Sequence, residues 1–191
     1  MNQVLLGDEV GDPIDVLVGD HFRIRAMLNL LTDCARATMP AHVRSDLLRS
    51  LVTFLVLDLP RHLTEEEELL FPRLQRRLRP SDVLDPSVRS LRTDHLGIRE
   101  AAARLVDEAA RIQACTPPVP TPEFRAMVAR FVTMKQRHVA AENAAVLPLA
   151  RHRLKAVDLS GIGRGLAHGR SAPSGPSTWA TRWLSTTAGR C

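Results

Sequence analysis

Four histidines and two glutamates recur in this chain at spacings suited to holding cations. His62 is followed four residues on by Glu66, His138 four residues on by Glu142, and lone histidines stand at His21 and His95. Four residues along an α-helix turn a side chain through about 400° while advancing about 6 Å, so the two members of each pair leave the same face. Two such faces set opposite the lone histidines would converge four imidazoles and two carboxylates. Burying those groups together without a cation would be costly, whereas a pair of metal ions satisfies all six. Taken singly, each feature has a plainer use. A histidine in an apolar seam is commonly a hydrogen-bonded core residue, and a run such as Glu65 to Glu68 is ordinarily a solvated acidic face. The argument for metal is the joint pattern, with a histidine in the same seam of four segments and two of them paired with glutamate at one spacing.

An internal repeat carries that pattern. Asp20-His21-x-x-Ile24-Arg25 matches Asp94-His95-x-x-Ile98-Arg99 at an offset of 74 residues. His62-x-x-x-Glu66 followed by Phe71-Pro72 matches His138-x-x-x-Glu142 followed by Leu147-Pro148 at an offset of 76. The chain reads as a duplicated helical hairpin.

Four amphipathic helices are expected to position these residues. The first begins at Asp12-Pro13, a capping residue followed by a proline suited to the first helical position. It places Ile14, Leu17, His21, Ile24, Leu28, Leu31 and Ala35 on one stripe and ends before Met39-Pro40. The second runs from about Ala41 to Leu78 with Leu47, Leu51, Leu55, His62, Glu66 and Leu69 or Leu70 near one face. Pro60 lies inside it, where the missing donor is expected to kink or break the helix beside His62 and could widen a route to the site. The third starts near Asp85-Pro86 and carries Val88, Leu91, His95, Ile98, Ala102, Leu105, Ala109 and Ile112. The fourth opens at Thr121-Pro122 with a seam of Phe124, Met127, Phe131, Met134, His138, Ala141 and Ala145, Glu142 lying beside it. Short proline-containing connections make this an all-α, up-down-up-down four-helix bundle over residues 1–155.

Composition agrees with a helical globular chain that needs no metal to fold: 191 residues, 45% apolar, 4% aromatic and no tyrosine. The net charge of +5 sits in one place. Residues 151–191 hold seven Arg or Lys against Asp158, leaving the remainder at −1, so no nucleic-acid partner is expected. From about Ala156 the periodicity gives way to Gly, Ser, Pro and Arg, and residues 156–191 read as a basic, disordered tail. GIGRG within it reads as linker, and TWATRWL as a short amphipathic piece that either docks on the bundle or on an unidentified protein partner, or stays solvated. Cys34, Cys115 and Cys191 have no metal-ligand spacing and read as free thiols. With no leader pattern and no long apolar run, a cytoplasmic location and no membrane partner are expected. Zinc-finger spacing, a phosphate-binding glycine loop and a G-x-S-x-G elbow are absent from the sequence.

The motifs DHFRIR, HLTEEEELLFP, DHLGIR and HVAAENAAVLP, in this order over about residues 13–150, resemble those of the hemerythrin-like HHE cation-binding domains. The resemblance implies a four-helix bundle around two non-haem irons joined by an oxo or hydroxo bridge. His21 and His62 would hold one ion, His95 and His138 the other, and Glu66 and Glu142 would bridge, with zinc or manganese as alternative metals. It further implies binding of, or reaction with, a small oxidant: oxygen, peroxide or nitric oxide. Since the family also includes an iron-sensing ubiquitin-ligase subunit, a sensing module is the alternative, and a bundle holding zinc or nothing is a third reading. Oxygen carriers of the family have a further histidine where this chain has Arg99, and an aspartate where it has Asn143. Those departures argue against reversible oxygen carriage, and the lack of tyrosine argues against tyrosyl-radical chemistry.

Overall fold

The computed structural model describes residues 11–82, 85–115 and 117–171, the side chains of 85–89 apart. Among these residues the chain forms five helices. Helix α1, Pro13–Arg36, starts where the Asp12 carboxylate accepts the Ile14 N–H at 2.9 Å. It stops where Ala37 turns left-handed at φ 56° and donates its N–H to the Cys34 carbonyl. Helix α2 is assembled from Ala41–Thr53, a π-helical turn Phe54–Asp58, Leu59–Glu65, a second π turn Glu66–Leu70, and Phe71–Gln75. Helix α3 is Asp85–Gln113. Helix α4 comprises Pro122–Ala141, capped by Thr121 Oγ1 on the Phe124 N–H, then a π turn Glu142–Val146 and Leu147–Arg153. Helix α5 is Ala156–Ser171.

In the bundle, α1 packs on α2 and α4, and α3 packs on the same two helices, which is the up-down-up-down arrangement read from the periodicity. The apolar core is divided. One cluster gathers Ile24, Leu28, Leu59, Leu63, Ile98, Leu105, Phe124 and Phe131 towards one end. The other gathers Ile14, Leu17, Leu70, Phe71, Leu91, Val146 and Leu147 towards the other. The six histidines and glutamates lie in the layer between them.

At Pro60, where a kink or break is expected, the helix continues through a local change of helix type. A proline in a regular helix lacks the N–H and collides with the carbonyl four residues back. Here the residue before each interior proline reaches back five residues instead of four. Leu59 donates to the Phe54 carbonyl ahead of Pro60, Phe71 to Glu66 ahead of Pro72, and Leu147 to Glu142 ahead of Pro148. Each π turn inserts one residue and shifts the phase of the next segment. For this reason the stripe after Glu142 continues through Val146, Leu147 and Ala150, while Ala145, expected in the seam, is exposed. Pro60 itself lines the groove between α2 and α5 together with Thr64, Glu68 and Gly165, and does not line the cleft that reaches His62.

The reading of residues 156–171 as disordered is also corrected. Helix α5 buries Ile162 and Leu166 in the second apolar cluster and packs on α1 and on the Leu59–Glu65 and Glu66–Leu70 parts of α2. The glycines and Ile162 of GIGRG belong to its contact face, while Arg164 is exposed. A Cβ at Gly165 would come within 2.6 Å of Leu69 Cδ2, and one at Gly161 within 3.1 Å of the Arg73 guanidinium, so the missing side chains permit the close approach. Glycine costs about 1 kcal/mol per position in a helix relative to alanine, and docking is therefore what holds this segment helical. Arg77 grips buried Asp158 near its start through two hydrogen bonds of 2.7 and 3.3 Å. Near its end Arg170 reaches Glu65 at 2.7 and 3.0 Å and also bonds Asp20. TWATRWL and Cys191 lie outside the described residues, as does the side chain of Val88.

Ending the chain at Lys155 removes two core side chains that each contribute about 1.5–3 kcal/mol on burial together with the Arg170 clamp. The thermal midpoint, followed by circular dichroism, is expected to fall by several degrees. An unchanged midpoint would contradict the docked helix.

Candidate metal centre

Each of the six residues owes its inward direction to the stripe it occupies. His21 follows Leu17 and precedes Ile24, His95 lies between Leu91 and Ile98, and His62 and His138 stand one turn before Glu66 and Glu142. All six are buried, with Glu66 and His95 at 0% exposure. Helices α1, α2, α3 and α4 thus bring together every residue that the sequence pattern singled out.

The donor atoms form two overlapping groups, His21, His62, Glu66 and Glu142 in one and Glu66, His95, His138 and Glu142 in the other. The atoms within each group lie within 4.8 Å of one another. Glu66 faces both groups: Oε1 is 3.3 Å from His21 Nε2 and 3.2 Å from His62 Nε2, and Oε2 is 3.4 Å from His95 Nε2. Glu142 Oε2 lies 3.4 Å from His21 Nε2 and 3.2 Å from His138 Nε2. The Nε2 atoms of His95 and His138 approach to 2.9 Å. Both glutamates open a π turn, and their carbonyls accept its first long-range bond, so the wide turns that admit Pro72 and Pro148 also set the two carboxylates.

The outer ring nitrogens follow the internal repeat in a crossed manner that the sequence did not reveal. The residue after each glutamate serves the lone histidine of the other half. Asn143 Oδ1 takes His21 Nδ1 at 2.8 Å, and Glu67 Oε1 takes His95 Nδ1 at 2.8 Å. The aspartate before each lone histidine stands near the paired one, Asp20 at 3.6 Å from His62 Nδ1 and Asp94 at 3.8 Å from His138 Nδ1. In His21 and His95 the hydrogen bond at Nδ1 fixes the ring and leaves Nε2 directed inward, whereas Nδ1 of His62 and of His138 makes no hydrogen bond among the described residues. The acidic run is accordingly not one solvated face. Glu65 is buried against Arg170, Glu66 is in the centre, Glu67 is held by Arg99 at 2.8 and 3.0 Å, and Glu68 alone is exposed. Arg99 and Asn143, the departures noted above, each support an imidazole, Arg99 through Glu67.

At His21, Glu66, Glu142 and Glu67 burial opposes charge, and local pairing overrides it. Desolvation disfavours the His21 imidazolium, but hydrogen bonds and charge from Glu142 and Glu66 raise its pKa to about 9. Burial likewise pushes the Glu66 carboxyl up, yet His62, His21 and His95 hold it well below the usual carboxylate range. Glu142 is also held down, with His138 and His21 outweighing both burial and the charge of Glu66. In Glu67, Arg99 and His95 outweigh desolvation. A cleft of about 300 Å³, lined by Asp20, Arg23, Met27, Phe54, Asp58 and His62 among others, leads to the His62 side of the site between α1 and α2.

The α4 seam differs from expectation at its centre. It runs Phe124, Val128, Phe131, Lys135, His138, Glu142, while Met127 and Met134 lie at its margin and Ala141 is exposed. Lysine is normally a surface residue, and the apolar count passed over it in favour of Met134.

Among the described residues, no helix is long and apolar enough to cross a membrane. A search of the curated proteins found no match to this chain. The model of the hemerythrin HHE cation binding domain matches residues 12–150, which takes in α1 to α4 and every residue of the buried cluster. Two interlocking groups of imidazoles and carboxylates in a four-helix bundle, over a match of this extent, place the chain in the hemerythrin HHE cation-binding domain family.

Proposed function

We propose that the chain holds a pair of iron ions through His21, His62, Glu66, His95, His138 and Glu142, and that the pair binds or reacts with a small oxidant: oxygen, peroxide or nitric oxide. The observation carrying this reading is that the two donor groups share both carboxylates. The fit can be tested on the atoms themselves. His62 Nε2, Glu66 Oε2 and both carboxylate oxygens of Glu142 are buried without a hydrogen-bond partner, although all but Glu142 Oε1 face an imidazole nitrogen or carboxylate oxygen across 3.2–3.4 Å. Such groups are ordinarily satisfied, and the donor set of imidazole and carboxylate is one that iron, manganese or zinc accepts. When bound, an iron pair would supply two electrons and a Lewis-acidic site for a small ligand.

The surrounding residues have distinct parts in this reading. Glu67 and Asn143 orient the rings of His95 and His21, while Asp20 stands 3.6 Å from His62 Nδ1 without bonding it. The cleft at His62 gives a small molecule a route to that side of the site. The two apolar clusters above and below keep bulk water out of the layer. A sensing function is favoured by one further contact. Arg170 ties α5 to Asp20, which stands beside His62, so occupancy of the site and docking of α5 share a residue.

Metal quantitation with an absorption spectrum followed from anaerobic to aerobic conditions tests the reading. Two irons per chain and a diferric spectrum responsive to oxygen or peroxide are expected. Zinc alone, or no metal, would defeat it. Glu66→Ala and Glu142→Ala are expected to lower metal content sharply and Glu68→Ala to leave it unchanged. Glu67→Ala should fall between, with about 10–100-fold weaker affinity from loss of the bond to His95.

The metal-free chain carries a pH signature. Because the folded pKa of His21 lies near 9, above the ordinary value of about 6.5, its contribution to stability is complete below about pH 6.5. That contribution is lost as pH rises through 9. Urea midpoints of metal-free protein should therefore decline between those values, and the decline should disappear in His21→Gln. Metal must displace the same proton, so apparent metal affinity should rise over this window.

A further inference from the structure

Lys135 is the one buried cation in the α4 seam. Its side chain is at 0% exposure, and Nζ has no hydrogen-bond partner among the described residues. A lysine with four methylenes usually carries its amine to water, and an unpaired ammonium held inside costs several kcal/mol. Desolvation pulls its pKa down, while Glu66 and Glu142, near enough to act on the amine through space, pull it up. It precedes His138 by one turn and Glu142 by two, so its stem shares their stripe, on the side of the layer towards Phe131.

Charge states what is missing there. Two divalent ions against two carboxylates leave the layer with net positive charge, and an ammonium beside them adds to it. The arrangement becomes favourable when an anion stands between the metals and the amine. We propose that Lys135 is the binding residue for a small anion, of two or three atoms, taken up at the metal pair, to which its Nζ donates a hydrogen bond. This rests on the di-metal reading above and adds to it the group that selects the ligand. The small size follows from the full burial of the amine, which a bulky ligand could reach only by displacing the packed core around it.

The full chain, loaded with ferrous iron and oxidised in air, is to be analysed for metal and then titrated with sodium azide by absorption. Wild type, K135M and K135R are compared. The expected result is equal iron in all three, azide affinity weaker by about tenfold or more in K135M, and recovery of most of that loss in K135R. Azide affinity within twofold of wild type in K135M, or loss of iron from that variant, would overturn the proposal. Wild type that carries two irons yet does not bind azide overturns this proposal alone, whereas wild type without a metal pair removes the di-metal reading beneath it. If K135M does not fold, K135R is compared with K135Q. Tighter azide binding by K135R supports a charged donor at this position, and equal binding by the two overturns it.

Discussion

Packing six polar groups into one layer of a four-helix bundle is the constraint from which the other features follow. Imidazoles and carboxylates removed from water must be satisfied by one another or by a cation, and here the inner atoms face one another at 3.2–3.4 Å with several left unbonded. The layer interrupts the apolar core, so each end of the bundle has to be stabilised by its own cluster. The end holding Ile14, Leu70 and Val146 also takes in Ile162 and Leu166 of α5. The matched family region stops at residue 150, and the helix beyond it is thus a structural part of the same core.

Much of this was legible in the amino acids. Apolar spacing located α1, α3 and α4, and the repeated His-x-x-x-Glu together with the repeated Asp-His-x-x-Ile-Arg identified the four histidines and two glutamates of the layer, because helix periodicity turns sequence distance directly into a shared face. What the spacing did not give was of three physical kinds. Helix α5 is poor in intrinsic propensity and is helical because Gly161 and Gly165 let it lie close against Arg73 and Leu69, a tertiary effect with no local trace. Lys135 was hidden by the ordinary preference of lysine for water. The supports at Nδ1 arise from crossing between the two halves, so that Glu67 serves His95 and Asn143 serves His21. The Asp-His pairs were visible as repeats, but their partners emerge only when four helices are brought side by side.

The two halves of the repeat are alike in plan and unlike in charge. His95 leans on an anion that is itself anchored by Arg99, whereas His21 leans on a neutral amide. Asp20 is buried and bonded by Arg23 and Arg170, while its counterpart Asp94 is about half exposed. A carboxylate partner makes an imidazole the more basic donor. The duplicated scaffold therefore presents two unequal environments to ligands of the same type.

The prolines that follow the π turns have a mechanical consequence. An extra residue in a helix is a defect that, in a proline-free segment, could migrate by exchanging one hydrogen-bond pattern for the next. Pro72 and Pro148 each sit just past the defect and lack the N–H needed to pass it onward. The inserted residue is thereby barred from passing towards the C-terminus beyond the turns that begin at Glu66 and Glu142, as a pawl holds a ratchet. Each carboxylate stands at the root of a turn whose far end is locked by a proline ring.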